Sequence, residues 1–292
     1  MIFSALVVLQ AGIIVTGGAV RLTGSGLGCP TWPQCTKGSF TPVPHQAQGK
    51  LHSWIEFSNR LLTFLLIVIA IAALIAAVKY SKGRLDRRRV IWLAIWQVLG
   101  IFGQGILGGI TVLTHLNPLP VSGHFLLSIP LIAGALSLRQ IMLNKEQVAI
   151  SATTRSLSQV ILALTILVIT LGTVVTGSGP HAGDIQAKRY GIDPRTISWI
   201  HADSVIALIS LAIGLFFVVK VADSQEAKEL FGRKLNIFLL VALSQGVIGY
   251  IQYFTHLPEL IVGIHLIGAC LVWISMWNLC LTGNVAKRLS RL

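Results

Sequence analysis

The chain has 292 residues, of which 54% are hydrophobic and 11% charged, and its formal net charge is +13. That is too little charge to cover a soluble surface, where about 25% is usual, and too much apolar content for a disordered chain. The length is therefore counted in membrane spans of about 20 residues each, and the basic excess reads as loop Lys and Arg of a membrane protein, with no nucleic-acid partner expected.

Apolar runs long enough to cross a bilayer lie near 2–20, 55–78, 90–113, 120–138, 157–176, 198–219, 235–254 and 260–281. The first run is too long for a signal-peptide core and has no basic stretch before it. It passes into Gly17-Gly18 and Arg21 without a small-residue cleavage pattern, so it reads as a retained helix, with room for a short basic leader upstream. The loop 79–89 holds Lys79, Lys82, Arg84, Arg87, Arg88 and Arg89. Arg139, Lys145 and Arg155 follow in 139–155, and Lys220, Lys228, Arg233 and Lys234 in 220–234. Lys287, Arg288 and Arg291 end the chain. Sixteen of the 23 basic residues thus fall on one side. The positive-inside rule makes that side cytoplasmic, with both termini there and the loops 21–53 and 177–197 facing outward.

The chain repeats itself. Gln104-Gly105, Gly108, Thr114-His115-Leu116 and His124 recur 141 residues later as Gln245-Gly246, Gly249, Thr255-His256-Leu257 and His265. Thr23-Gly24-Ser25-Gly26 recurs as Thr176-Gly177-Ser178-Gly179, and Trp54-Ile55-Glu56 as Trp199-Ile200-His201. Each half then has four helices, and an even number of spans gives both halves one orientation. The expected fold is an all-α membrane protein of two pseudo-symmetric four-helix bundles in parallel repeat. The expected division is 1–140, a cytoplasmic linker 141–156, and 157–292. The paired glycines suit close helix approach or room for a flat ligand.

All eight histidines (45, 52, 115, 124, 181, 201, 256 and 265) fall on the outer side. A single one reads as an interfacial residue bonded to backbone. Ionisable groups inside a membrane cost about 2–4 kcal/mol on insertion scales, however, and repeat-related ones point to metal ligation. A helical bundle can place one imidazole on each side of a porphyrin. His201 and His265 meet that description in the second half. In the first half His124 has a different partner: Glu56 stands at the position matching His201, with His52 one turn before it and Asn59 and Arg60 one turn after. Their offsets place these four on one helical face.

Glu56 is the sole carboxylate of the first two spans and their joining loop. A salt bridge to Arg60 at i+4 is one reading; a carboxylate acting in proton transfer or cation stabilisation beside a haem edge is the favoured one, and the two are compatible. Asp203 reads as a cap or as a partner holding an imidazole. Cys29 and Cys35 lie in an outward, oxidising loop, so a disulfide is expected, either as a staple or as a redox-active pair. Cys270 and Cys280 read as core residues.

Taken together, the eight spans in two halves, the outer Cys pair, the Ile55-Glu56-Phe57-Ser58-Asn59-Arg60 opening of span two and the paired outer histidines resemble haem A synthase. The resemblance covers essentially the whole chain. It implies oxidation of the C8 methyl of haem O to a formyl group, for cytochrome c oxidase biogenesis. It implies haem b in the second half with His201 and His265 as axial ligands to iron, and substrate haem O in the first half with His124 on or near its iron. Glu56 would match the family's essential glutamate, and Cys29–Cys35 its loop cysteines. The chain departs from the family at Asn59, where a Glu-x-x-His pattern would put histidine. Either His52 takes that role or Asn59 leaves the iron more open. His115 and His256 are candidates for haem propionates.

The resemblance also implies a multi-pass protein of the bacterial cell membrane with its sites toward the outer face. Haem O synthase and cytochrome oxidase assembly factors would be partners, beside membrane lipid and an electron acceptor that the sequence does not identify. Homo-oligomerisation stays open. No flavin or nicotinamide fingerprint is present. The rival readings are a quinone-linked di-haem cytochrome b, which explains His201 and His265 equally well but not Glu56, and a transporter, whose polar site would lie at mid-membrane.

Overall fold

The computed structural model describes residues 1–285; Lys287, Arg288 and Arg291 lie outside the described residues. Its eight long helices are α1 (Ile2–Leu22), α2 (Lys50–Tyr80), α3 (Arg87–Leu113), α4 (Pro118–Met142), α5 (Ala152–Ser178), α6 (Pro194–Ala222), α7 (Gln225–Phe254) and α8 (Glu259–Thr282). All eight are long and apolar enough to cross a membrane. Large apolar side chains stay exposed along their flanks, for example Phe64 (68%), Ile75 (63%), Leu240 (70%) and Val247 (60%). In water such flanks would be a liability; facing acyl chains they are the expected surface. The chain is a multi-pass membrane protein.

Every helix extends beyond its apolar run, and four of them start at a side-chain cap that hydropathy does not show. Asn117, Ser151, Asp193 and Ser224 accept hydrogen bonds from the backbone N–H groups of Leu119, Thr154, Thr196 and Ala227, starting α4, α5, α6 and α7. Pro118 and Pro194 occupy the first helical positions, where no N–H is needed. The Thr196 hydroxyl and N–H together hold the Asp193 carboxyl below the usual carboxylate range. Asp203, expected as a cap or an imidazole partner, does neither: Asp193 is the cap, and Asp203 is exposed mid-helix. Helices α3 and α7 end alike. His115-Leu116 and His256-Leu257 take left-handed φ values of 52°, 58°, 64° and 62°, and the Leu116 and Leu257 N–H groups reach back to the Thr111 and Gln252 carbonyls at 2.9 Å. This closure normally uses glycine.

Helices α1 to α4 pack in a ring in which α2 and α4 are separated by α1 on one side and α3 on the other; α5 to α8 do the same, with α6 and α8 apart. Between the rings, α4 meets α8, α1 meets α8, and α4 meets α5. Lipid offers helices no hydrophobic force to associate, so close packing and interhelical hydrogen bonds hold them together. Trp273 Nε1 donates to the Ile129 carbonyl at 2.8 Å and Trp277 Nε1 to Ser137 Oγ at 3.0 Å, tying α8 to α4. Buried Gln10 donates to Gln97 at 3.0 Å, and Gln97 to the Leu131 carbonyl at 3.1 Å, tying α1, α3 and α4.

The four connections 23–49, 114–117, 179–193 and 255–258 gather at one end. Gly26 N–H bonds the Gly183 carbonyl at 3.0 Å, His181 Nε2 is 2.8 Å from the Leu257 carbonyl, and Leu116 is buried with Ala182 and Ala187. At the other end a short parallel pair forms, β1 (Val148–Ile150) on β2 (Gly283–Val285), with Val148 opposite Gly283. Asp223 secures it, accepting from Ser151 N–H at 2.6 Å and Thr154 Oγ1 at 2.5 Å. The linker expected over 141–156 is thus mostly ordered structure: the end of α4, β1 and the start of α5.

Candidate functional site

Three of the expected site histidines share one local geometry. A methyl group on Gly108 of α3 would stand 3.4 Å from Cε1 of His124 on α4. One on Gly172 of α5 would stand 3.4 Å from Cε1 of His201 on α6, and one on Gly249 of α7 would stand 3.5 Å from Cε1 of His265 on α8. Each imidazole therefore lies over a glycine of a neighbouring helix. Nδ1 of each ring is buried without a hydrogen-bond partner among the described residues. With Nδ1 buried in protein, Nε2 is the nitrogen of each ring left to take a ligand, and it makes no hydrogen bond among the described residues. His201 and His265 come from helices that their ring holds apart.

Deeper in the bundle two of these histidines, His124 and His265, have an amide near them. Gln104 Nε2 donates to Ser128 Oγ at 2.8 Å, one turn after His124, and the Gln245 side chain lies over Gly268, three residues after His265. Oε1 of both glutamines is buried and unpaired. The internal repeat marked Gln104 and Gln245 as related, but their chemistry shows only once the neighbours are known.

The opening of α2 is arranged differently from the shared face expected for it. Glu56 is buried, 6% exposed. Its Oε1 accepts from Arg60 Nε at 3.1 Å and Nη2 at 2.6 Å, and its Oε2 from the Cys29 N–H at 2.7 Å. Arg60 also donates to the carbonyls of Cys29 (2.8 Å), Thr31 (3.1 Å) and Gln34 (3.2 Å). The pair therefore grips the loop closed by the Cys29–Cys35 disulfide. His52 lies within α2 rather than before it, with Nδ1 2.9 Å from Ser25 Oγ. Asn59 alone turns toward α1. Its Oδ1 accepts from Thr16 Oγ1 at 2.7 Å, and its Nδ2 is 3.8 Å from where a Gly17 methyl would stand. Thr16, Ala19, Trp54, Ile55, Ser58 and Asn59 line an open groove of about 360 Å³. Cys270 is buried and Cys280 half-buried, both as free thiols.

Among the described residues no group of three or more His, Cys, Asp and Glu side chains could hold a metal ion. The histidines come singly, each from its own helix. A porphyrin brings its own equatorial donors and needs one or two such side chains. Three imidazoles packed over glycines of neighbouring helices, each with Nδ1 buried and Nε2 left for a ligand, fit that group.

Residues 1–183 match the family model described as cytochrome oxidase assembly protein (COX15-CtaA). Among curated proteins, the chain is similar to the haem A synthases of Geobacillus kaustophilus (33% identical over 107 residues), Geobacillus thermodenitrificans (29% over 105) and Bacillus cereus strain 03BB102 (31% over 103). These stretches cover 36%, 36% and 35% of this chain, and each spans 30% of the relative's length. With the family model spanning more than half of its length, the chain belongs to the COX15-CtaA cytochrome oxidase assembly proteins, the haem A synthase family.

Proposed function

We propose that the protein is a haem A synthase, oxidising the C8 methyl of haem O to a formyl group and so supplying cytochrome c oxidase biogenesis. The observation that carries this is the threefold geometry of His124, His201 and His265, each imidazole packed over a glycine with Nδ1 buried and Nε2 left for a ligand, in a chain of this family. His201 and His265 would hold a resident haem b in the second half, 157–292, and His124 would hold the substrate haem O in the first half, 1–140. The pattern of helix contacts supports a parallel repeat: exchanging each helix for its counterpart turns the α1–α8 contact into α5–α4 and leaves α4–α8 unchanged.

The bound haem iron supplies the redox chemistry; the chain's residues position the substrate and handle protons. Forming a formyl group from a methyl releases protons and electrons and takes up one oxygen atom. Glu56 is the carboxylate available for the protons, held toward the 29–35 loop by Cys29 N–H and Arg60. Arg60 Nη2 lies 2.6 Å from its Oε1 and fixes the carboxylate in place at the membrane edge. The electrons leave to an acceptor outside the chain. Haem O synthase and oxidase assembly factors are the partners this activity calls for. The end carrying the histidines would face outward from a bacterial cell membrane.

The test is co-expression with a source of haem O, with pigment extraction and a reduced-minus-oxidised spectrum. Haem A should form, and Glu56→Gln should stop its formation while the haem b signal persists. His201→Ala or His265→Ala should remove that signal. A Glu56→Gln variant that makes haem A at the parental yield would sink the role given to Glu56. A haem-bearing protein that makes none would instead be a di-haem electron-transfer cytochrome.

A further inference from the structure

The two rings differ at one of four repeat-related places, where a polar side chain lies over a glycine of the preceding helix. The second ring has imidazoles at both of its places, His201 over Gly172 and His265 over Gly249. The first has His124 over Gly108, but the α2 side chain that turns to a glycine of α1 is Asn59, beside Gly17. Glu56, which sequence matching pairs with His201, is committed to Arg60 and Cys29 N–H. We propose that the first site holds haem iron through His124 alone, and that its opposite axial face is a binding site for a small haem ligand of the dioxygen, water or carbon monoxide class, bordered by Asn59 and Thr16.

This inference rests on the haem reading above and deepens it. A neutral carboxamide is a weak ligand for haem iron beside imidazole, but it is a good hydrogen-bond donor to a ligand already on iron, and the donors and space on that face decide what binds there. Thr16 Oγ1 donates to Asn59 Oδ1, which leaves Nδ2 as the donor end of the amide. An open groove of about 360 Å³ reaches both residues and gives a diatomic molecule a way in. His52 is two turns nearer the loop and is tied to Ser25, so it does not take the place that Asn59 occupies.

The experiment uses the full chain purified after co-expression with a haem O source. Haem content is measured as the pyridine complex, and the dithionite-reduced protein is exposed to carbon monoxide. Part of the haem spectrum should shift on adding the gas while the bis-imidazole part stays unchanged. His124→Ala should abolish the shift and keep the unchanged part. Asn59→His should keep the haem content but lose the shift, with the whole spectrum becoming low-spin. Asn59→Ala should keep the shift and release bound ligand faster. Loaded protein inert to carbon monoxide overturns the inference and leaves the haem reading standing. So does a response that Asn59→His leaves intact, or one that appears only in His52→Ala. Protein without any haem overturns both.

Discussion

Arg60 shows how much one side chain can organise at a membrane edge. It is 20% exposed, yet it makes contacts to Glu56 and to three loop carbonyls. The i+4 spacing made the ion pair readable in the sequence. The Cys29 N–H bond to Glu56 was not readable, because it joins residues 27 positions apart through a loop with no periodic pattern. Removing Arg60 leaves Glu56 buried and uncompensated, which typically costs about 3–5 kcal/mol. Arg60→Ala should therefore lower the thermal midpoint and expose the 29–48 loop to proteolysis. Arg60→Lys should recover only part of this, since one ammonium cannot reach a carboxylate and three carbonyls in the geometry of a planar guanidinium. Equal stability of Arg60→Lys and the parent in a thermal melt would count against this account.

At the scale of elements, the helices were legible and their joints were not. Hydropathy marks all eight spans because lipid demands long apolar runs with internally satisfied backbones. It says nothing of β1 and β2, two three-residue strands that pair across the chain without an alternating pattern. Nor does it show how the 23–49 loop docks. That docking depends on two glycines. A methyl on Gly28 would run into the backbone carbonyl of His52, and one on Gly109 would stand 2.5 Å from the Trp32 ring. The loop thus lies directly on α2 at one point and packs an indole on α3 at the other. Because the obstacle at Gly28 is backbone, Gly28→Ala cannot be absorbed by a rotamer change and should cost about 1–3 kcal/mol. The loss should show as faster amide exchange over 25–35 with the helices unaffected. At Gly249 the space is ordinary, 3.5 Å to His265, so Gly249→Ala should be tolerated in the same measurement.

For the whole molecule, the polar groups are divided between two ends. All eight histidines, the disulfide and the Glu56–Arg60 pair sit toward the end where 23–49, 114–117, 179–193 and 255–258 meet. That end is also where the rings are latched. Arg21 of α1 donates to the Thr176 carbonyl at 2.8 Å and to the His181 carbonyl at 2.5 Å, while Tyr190 donates to the Pro118 carbonyl at 3.0 Å and lies 2.9 Å from Ser122 Oγ. The other end carries the dense Lys and Arg runs, with Arg84 bonded to Asp86 at 2.8 Å and to Asn144 at 3.1 Å. The proposed orientation puts the second end in the cytoplasm and the first outside, because basic residues resist translocation. A disulfide at the first end agrees, because thiols in the cytoplasm are kept reduced. The native cysteines leave little background for labelling: Cys29 and Cys35 are bonded, Cys270 is buried and Cys280 half-buried. A membrane-impermeant maleimide should therefore label Lys37→Cys in intact cells, and label Lys82→Cys only after the membrane is opened, since both positions are exposed and lie at opposite ends. The reverse pattern would turn the protein over in the membrane, putting the disulfide and every histidine in the reducing cytoplasm.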